Sequence, residues 1–175
     1  MPIRNSAANN IIAGARTFFV TSSITEKRSL LQSDRSAQLF VHVLYDYCTQ
    51  GKFHLHEFVV MPDHFHVLIT VGRELAVERA VQFVKGGFAF RAGRELAFRA
   101  PVWQKGFSEV RILDVEFYER VREYIWNNPV ARHLVSEEHQ FPYSSAFPGF
   151  ELDSAPQGLK PALYRATGGM AKARP

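Results

Sequence analysis

Cysteine is almost missing: Cys48 is the only one in 175 residues. One thiol cannot build a disulfide framework or a cysteine-based zinc site, which points to a reducing compartment. Long hydrophobic runs are missing too. None approaches the roughly 20 residues of a membrane span, and the opening MPIRNSAANNIIAGARTFF lacks the continuous apolar stretch of an export signal. A soluble, cytoplasmic chain with no membrane span is expected. Acidic residues are absent from the final stretch, ALYRATGGMAKARP, which carries Arg165, Lys172 and Arg174. No segment repeats, and the length suits one domain with a core.

What is present is a globular composition. Hydrophobic residues make up 46% of the chain and phenylalanine alone occurs 15 times, which excludes a disordered protein. The net charge of +4 and a pI near 9.4 favour an anionic partner, nucleic acid before an anionic membrane surface.

Residues 1–15 read as a loose arm, 16–135 as the main domain and 136–175 as an extended tail. Within the domain, 16–24 is β-rich and reads as a first strand. Ser33 or Asp34 caps a helix whose apolar face carries Leu39, Val43, Leu44 and Tyr47. Residues 52–61 and 64–71 form a hairpin around Pro62-Asp63. A helix runs over 74–84 until Gly86-Gly87 interrupts it, a fourth strand covers 102–113, and Asp114 caps a last helix that ends at Pro129. This β-α-β-β-α-β-α order predicts a ferredoxin-like α+β domain, with helices on one face of an antiparallel sheet and an added C-terminal helix. The other sheet face is then expected to be free for a ligand.

The stretch HLHEFVVMPDHFHVLIT contains His-x-His twice. Residues i and i+2 of a strand share a face, so His64 and His66 project together. They sit among apolar neighbours, where imidazoles need partners, and a neutral pair is a half-site for a divalent metal. Coincidence in a strand is the competing reading. His54 and His56 have the same spacing in a more polar setting and read as surface or rim residues.

The last helix offers further groups. Tyr124 and Asn128 are four residues apart and share a helical face. Asn128 falls near the inward stripe of Val121 and Ile125, where an amide makes sense as an oxygen ligand for Mg²⁺ or Mn²⁺. Tyr124 flanks that stripe; it either packs there or presents its hydroxyl to the metal site. Tyr118 points elsewhere and reads as packing. A tyrosine hydroxyl beside a metal-polarised phosphate is a nucleophile for phosphodiesters.

These residues resemble a known family. MPDHFHVLI is similar to the His-hydrophobic-His (HUH) motif of single-tyrosine transposases. REYIWNNPV is similar to their tyrosine helix, above all in the REP-associated tyrosine transposases, as are WQKGF and FPYSSA. The resemblance runs from about residue 16 to about 160. It implies cleavage of single-stranded DNA at the foot of a hairpin, a 5′-phosphotyrosine intermediate, a free 3′-hydroxyl and a Mg²⁺ or Mn²⁺ ion. It assigns His64, His66 and Asn128 to the metal and Tyr124 to the nucleophile. A monomer or homodimer is implied. Asp63 stands where Asn is common, and Val110 where relatives often carry His.

Residues 85–105 interleave Lys85, Arg91, Arg94, Arg99 and Lys105 with Phe88, Phe90, Phe98 and Trp103. Either bases stack on the aromatics while phosphates pair with the cations, or this is a solvated helical face with core aromatics behind it. Two rivals to a transposase remain: a replication initiator or relaxase of the wider HUH group, and a non-catalytic, domesticated hairpin-binding protein.

Overall fold

The computed structural model describes residues 14–161. The arm up to residue 13 and the tail bases Arg165, Lys172 and Arg174 lie outside them. Strand β1 (Arg16–Ser23) leads through a short turn to helix α1 (Asp34–Thr49). The hairpin β2 (His54–Met61) and β3 (His64–Val71), helix α2 (Val77–Glu95), strand β4 (Ser108–Ile112) and helix α3 (Val115–Ala131) follow. The sheet is antiparallel in the order β2-β3-β1-β4. This is the ferredoxin-like α+β arrangement.

Alternation along each strand sorts the side chains into two layers. Phe18, Val20, Phe58, Val60, Phe65 and Val67 face α1 and α2, where Phe40 and Phe88 complete the main core. Phe40 packs 4.7 Å from Phe65 and 5.4 Å from Phe88 between ring centroids. Burying each ring stabilises the fold by about 1.5–3 kcal/mol. On the opposite face, Val59, Met61, Leu68 and Ile112 pack against Tyr118, Val121 and Ile125 of α3. The second sheet face is therefore not left free: α3 lies across it.

Three boundaries differ from the sequence reading. Helix α2 runs straight through Gly86-Gly87, because Gly87 is a contact and not a stop. A Cβ there would stand 2.7 Å from the Tyr47 ring of α1. Nothing lies within 4 Å of a Cβ at Gly86. Gly86→Ala is therefore expected to raise stability by up to about 1 kcal/mol through helix propensity. Gly87→Ala should lower it by about 1–3 kcal/mol by overpacking. Urea unfolding of both variants checks the contrast; equal effects would contradict it.

Strand β4 is shorter than expected because Gly106, at φ 76°, turns the chain before it. Helix α3 continues through Pro129 to Ala131. That proline stands in the last turn, where the bond it removes and the crowding of its ring fall on the single carbonyl of Ile125. The described part of the tail, residues 136–161, packs on the domain. It runs along the outer edge of β2, with the Val60 N–H donating to the Tyr143 carbonyl (2.8 Å) and the Ser145 N–H to the Phe58 carbonyl (2.9 Å). An edge strand that would otherwise invite pairing is thereby covered.

Candidate active site

Strand β3 pairs with β1 so that His66 stands opposite Thr21 and His64 opposite Ser23. Both imidazoles point to the α3 face and are buried, at 6% and 4% exposure for His64 and His66, with ring centroids 4.8 Å apart. Each ring is held through Nδ1. His64 Nδ1 is 2.6 Å from Asp63 Oδ1, and His66 Nδ1 is 2.7 Å from Thr21 Oγ1. A carboxylate only accepts, so His64 carries its proton on Nδ1 and keeps a lone pair on Nε2. Such outer bonds fix the orientation of metal-binding histidines.

Burial, reinforced by the charges of His64 and Arg132, lowers the pKa of His66 to about 3. Burial also lowers His64, against the opposing pull of Asp63. Both rings are neutral at pH 7, the form a ligand requires. Burial pushes the Asp63 carboxyl up, but the hydrogen bond and charge of His64 outweigh it and leave the group below the ordinary range.

Helix α3 brings the other groups. Its N-terminus is fixed by Asp114, whose side chain accepts from the Phe117 N–H at 2.8 Å. Val121 and Ile125 seat it on the sheet. Tyr124, Asn128 and Arg132 then follow at four-residue spacing along one flank. The Tyr124 ring meets His66 edge-on at 5.3 Å and Phe19 at 5.8 Å, yet the residue is 52% exposed. Asn128 is buried. Among the described residues, its Oδ1 and His66 Nε2 are two of the buried polar atoms that have no hydrogen-bond partner. An orphaned buried polar atom costs about 1–3 kcal/mol. Two in one concavity mark a place shaped for a group that both can bind.

That concavity, about 330 Å³, is lined by Thr21, Ser23, Lys27, His64, His66, Tyr124, Asn128, Ala131 and Arg132. A larger hollow of about 550 Å³, between Ser29, Leu30, Gln32, Ser33 and Phe98, has no ionisable side chain among its lining residues. Among the described residues no cluster of three or more His, Cys, Asp or Glu could hold a metal. The donors here are instead two imidazoles and one amide oxygen, which fit a divalent ion that keeps open positions and not a closed, four-ligand structural zinc.

The structure thus brings His64, His66, Tyr124 and Asn128 together. Lys27, Arg132 and Thr21 join them, and the sequence reading did not include these. Arg132 and Thr21 lay within reach of the same periodicities, four residues beyond Asn128 and two beyond Phe19. Lys27 sits in an irregular turn and carried no such signal. Val110 pairs with Phe19 on β4 and is 43% exposed on the face that carries Tyr124.

The residues of the 85–105 group lie on or after α2, whose core-facing side packs on the other sheet face. Phe88 is fully buried, so the expectation that it stacks on bases is corrected. Trp103 is half-buried against the core: it packs on Phe40, Phe65 and Phe88, and its indole N–H donates to the Lys85 carbonyl at 2.8 Å. Lys85 donates to the carbonyls of Gln104 and Gly106, at 3.1 and 2.6 Å, and staples that loop. Arg91 is paired with Asp46 and Glu95. Phe90 remains 65% exposed with Arg94 over its ring at 5.6 Å, and Arg94, Arg99 and Lys105 are exposed.

The other histidine pair splits. His54 is exposed, 3.5 Å from Asp153. His56 is buried, which corrects the rim assignment. A β-bulge between Leu55 and Glu57 turns it toward α3, where its ring meets Tyr118 and its Nε2 lies 2.8 Å from Thr70 Oγ1. Burial, opposed by the Asp153 carbonyl and charge, lowers its pKa to about 4. The unfolded chain therefore takes up this proton first. Stability is complete above pH 6.5 and falls as pH drops to about 4. The shift corresponds to about 3 kcal/mol. Urea unfolding at pH 7.5 and 4.5 should show a clearly smaller acid loss in His56→Gln than in the unaltered protein, where His64 and His66, also lowered by burial, contribute alongside His56. Equal losses would contradict this.

The model of the IS200-like transposase family matches residues 18–128, and the chain belongs to that family. Among curated proteins it is similar to the REP-associated tyrosine transposase of Escherichia coli K12, 27% identical over 147 residues that cover 83% of this chain and 82% of the relative. Its fold is similar to the structure of a REP-associated tyrosine transposase bound to a REP hairpin, with a TM-score of 0.67 at 21% identity, covering 89% of this chain and 98% of the other. Among the described residues no helix is long and apolar enough to cross a membrane.

Proposed function

We propose that this protein is a metal-dependent, hairpin-directed nuclease and strand transferase for single-stranded DNA, with Tyr124 as its nucleophile. The observation that carries the reading is the meeting of Tyr124 with the orphaned His66 Nε2 and Asn128 Oδ1 in one concavity. The Tyr124 oxygen forms a bond to phosphorus as the bond from phosphorus to the 3′-oxygen breaks. The phenol gives up a proton, and the departing 3′-oxygen gains one. The product is a 5′-phosphotyrosine and a free 3′-hydroxyl, so rejoining is the reverse displacement by another 3′-hydroxyl.

His64, His66 and Asn128 would hold Mg²⁺ or Mn²⁺, which when bound polarises the phosphate. Thr21 and Asp63 orient the two imidazoles. Tyr124 is exposed enough to meet a strand arriving from solvent. The relative bound to a REP hairpin supports a hairpin as the DNA partner. Phe90, Arg94, Arg99 and Lys105 supply a second basic and aromatic surface for flanking DNA. Incubation with single-stranded hairpin oligonucleotides and Mn²⁺, followed by a denaturing gel, tests the reading. A covalent protein–DNA band is expected. Tight binding without that band would favour a non-catalytic hairpin-binding protein.

A further inference from the structure

We infer that Lys27 and Arg132 form a two-sided clamp for one backbone phosphate, seated in the concavity beside Tyr124. The inference rests on the proposed DNA-cleaving function and extends it to two residues outside the metal and nucleophile set. The two cations reach the cavity from different layers. Arg132 closes the C-terminal end of α3, one turn past Asn128. Lys27 comes from the connection between β1 and α1, and both line the hollow that holds His64, His66 and Tyr124.

The turn that delivers Lys27 is unusual. Glu26 and Lys27 both adopt φ of 55°. Non-glycine residues rarely enter that region, and two in succession persist only where surrounding bonds hold them. Those bonds are present: the Ile24 N–H donates to the Asp63 carbonyl at 2.8 Å, and the Lys27 N–H to the Ile24 carbonyl at 3.2 Å. The turn carrying Lys27 is thus tied to the turn that orients His64. Lys27 Nζ donates to Ser23 Oγ at 2.8 Å, a neutral partner, and the Asp63 carboxylate acts on Lys27 through its charge without a salt bridge among the described residues.

Arg132 is equally uncommitted. The other arginines of α3 have carboxylates, Arg120 with Glu116 and Arg122 with Glu119. Among the described residues Arg132 has no such partner. The nearby carboxylate of Asp63 already serves His64. With both imidazoles neutral, the two cations lining the hollow, Lys27 and Arg132, outnumber the one carboxylate beside it, Asp63, among the described residues, and the orphaned acceptors lie with them. A cavity of about 330 Å³ has room for roughly ten waters at about 30 Å³ each, enough for a phosphodiester and part of its sugar. An anion with several oxygens can satisfy a lysine and an arginine together. A metal ion alone would satisfy neither cation and would repel both.

The test uses the full chain in EDTA, so that neither metal nor cleavage enters. Inorganic phosphate is titrated in while the side-chain NMR signals of Arg132, His64 and His66 are followed. The unaltered protein should show saturable shifts. Lys27→Gln and Arg132→Gln should each weaken the midpoint by at least about tenfold, the loss of one charge-assisted contact, and Lys27→Arg should largely restore it. The same variants should slow formation of the covalent DNA band. Unchanged midpoints in both glutamine variants, or no saturation in the unaltered protein, would overturn the clamp. Saturable phosphate binding that depends on both cations, in a protein that forms no covalent band, would support the clamp and sink the nuclease reading instead.

Discussion

Tyr124→Phe should abolish the covalent DNA adduct while hairpin binding persists. The substitution removes one oxygen from a half-exposed ring. The edge contacts to His66 and Phe19 involve the ring and survive, so stability should change by less than about 0.5 kcal/mol. Chemistry should suffer far more. Removing a covalent nucleophile lowers rates by about 10⁴-fold or more. Tyr118→Phe is the control. Tyr118 is buried against Val121 and Ile125, and burial with the charge of Glu57 pushes its hydroxyl up, away from the phenolate a nucleophile needs. That variant should remain active. Quantified denaturing gels, run beside a native binding assay, separate loss of chemistry from loss of affinity.

His66→Ala and His64→Ala should remove metal-dependent cleavage and weaken Mn²⁺ binding by more than about 100-fold, beyond the loss expected for a residue that only orients a ligand. His54→Ala should leave both unchanged, because His54 lies at the solvent-exposed start of β2. Thr21→Val should fall between, losing about 10–100-fold in metal affinity as the His66 ring loses its anchor. Asn128→Ala keeps the nucleophile but removes a ligand, so activity should fall and return in part at high Mn²⁺. Calorimetry with Mn²⁺ on the series checks the order. Metal-dependent activity lost in His54→Ala and retained in His66→Ala would reverse the assignment.

Local periodicity explains which parts were legible in the sequence. The i, i+2 rule joins His64 to His66, and the i, i+4 rule joins Tyr124 to Asn128. Each needs only the element in which it lies. The β-α-β-β-α-β-α order likewise follows from patterns within single segments. What escaped depends on contacts between segments. Gly87 resembles a helix stop until Tyr47 of α1 is seen against it. His56 resembles a rim residue until the bulge in β2 and the covering segment near Asp153 bury it. Phe88 and Trp103 alternate with cations as a base-stacking surface would, but helix geometry turns Phe88 into the core and a loop packs Trp103 against it. Lys27 belongs to an irregular turn, where no period announces a direction.

The central claim is that one tyrosine, Tyr124, reacts with DNA beside the histidine pair. Peptide mapping by mass spectrometry of the adduct trapped with a single-stranded hairpin oligonucleotide and Mn²⁺ tests it most directly. The expected result is a nucleotide 5′-phosphate on the peptide that contains Tyr124, and no modified tyrosine elsewhere. An adduct on Tyr118 or any other tyrosine, or one that survives in Tyr124→Phe, would contradict the account.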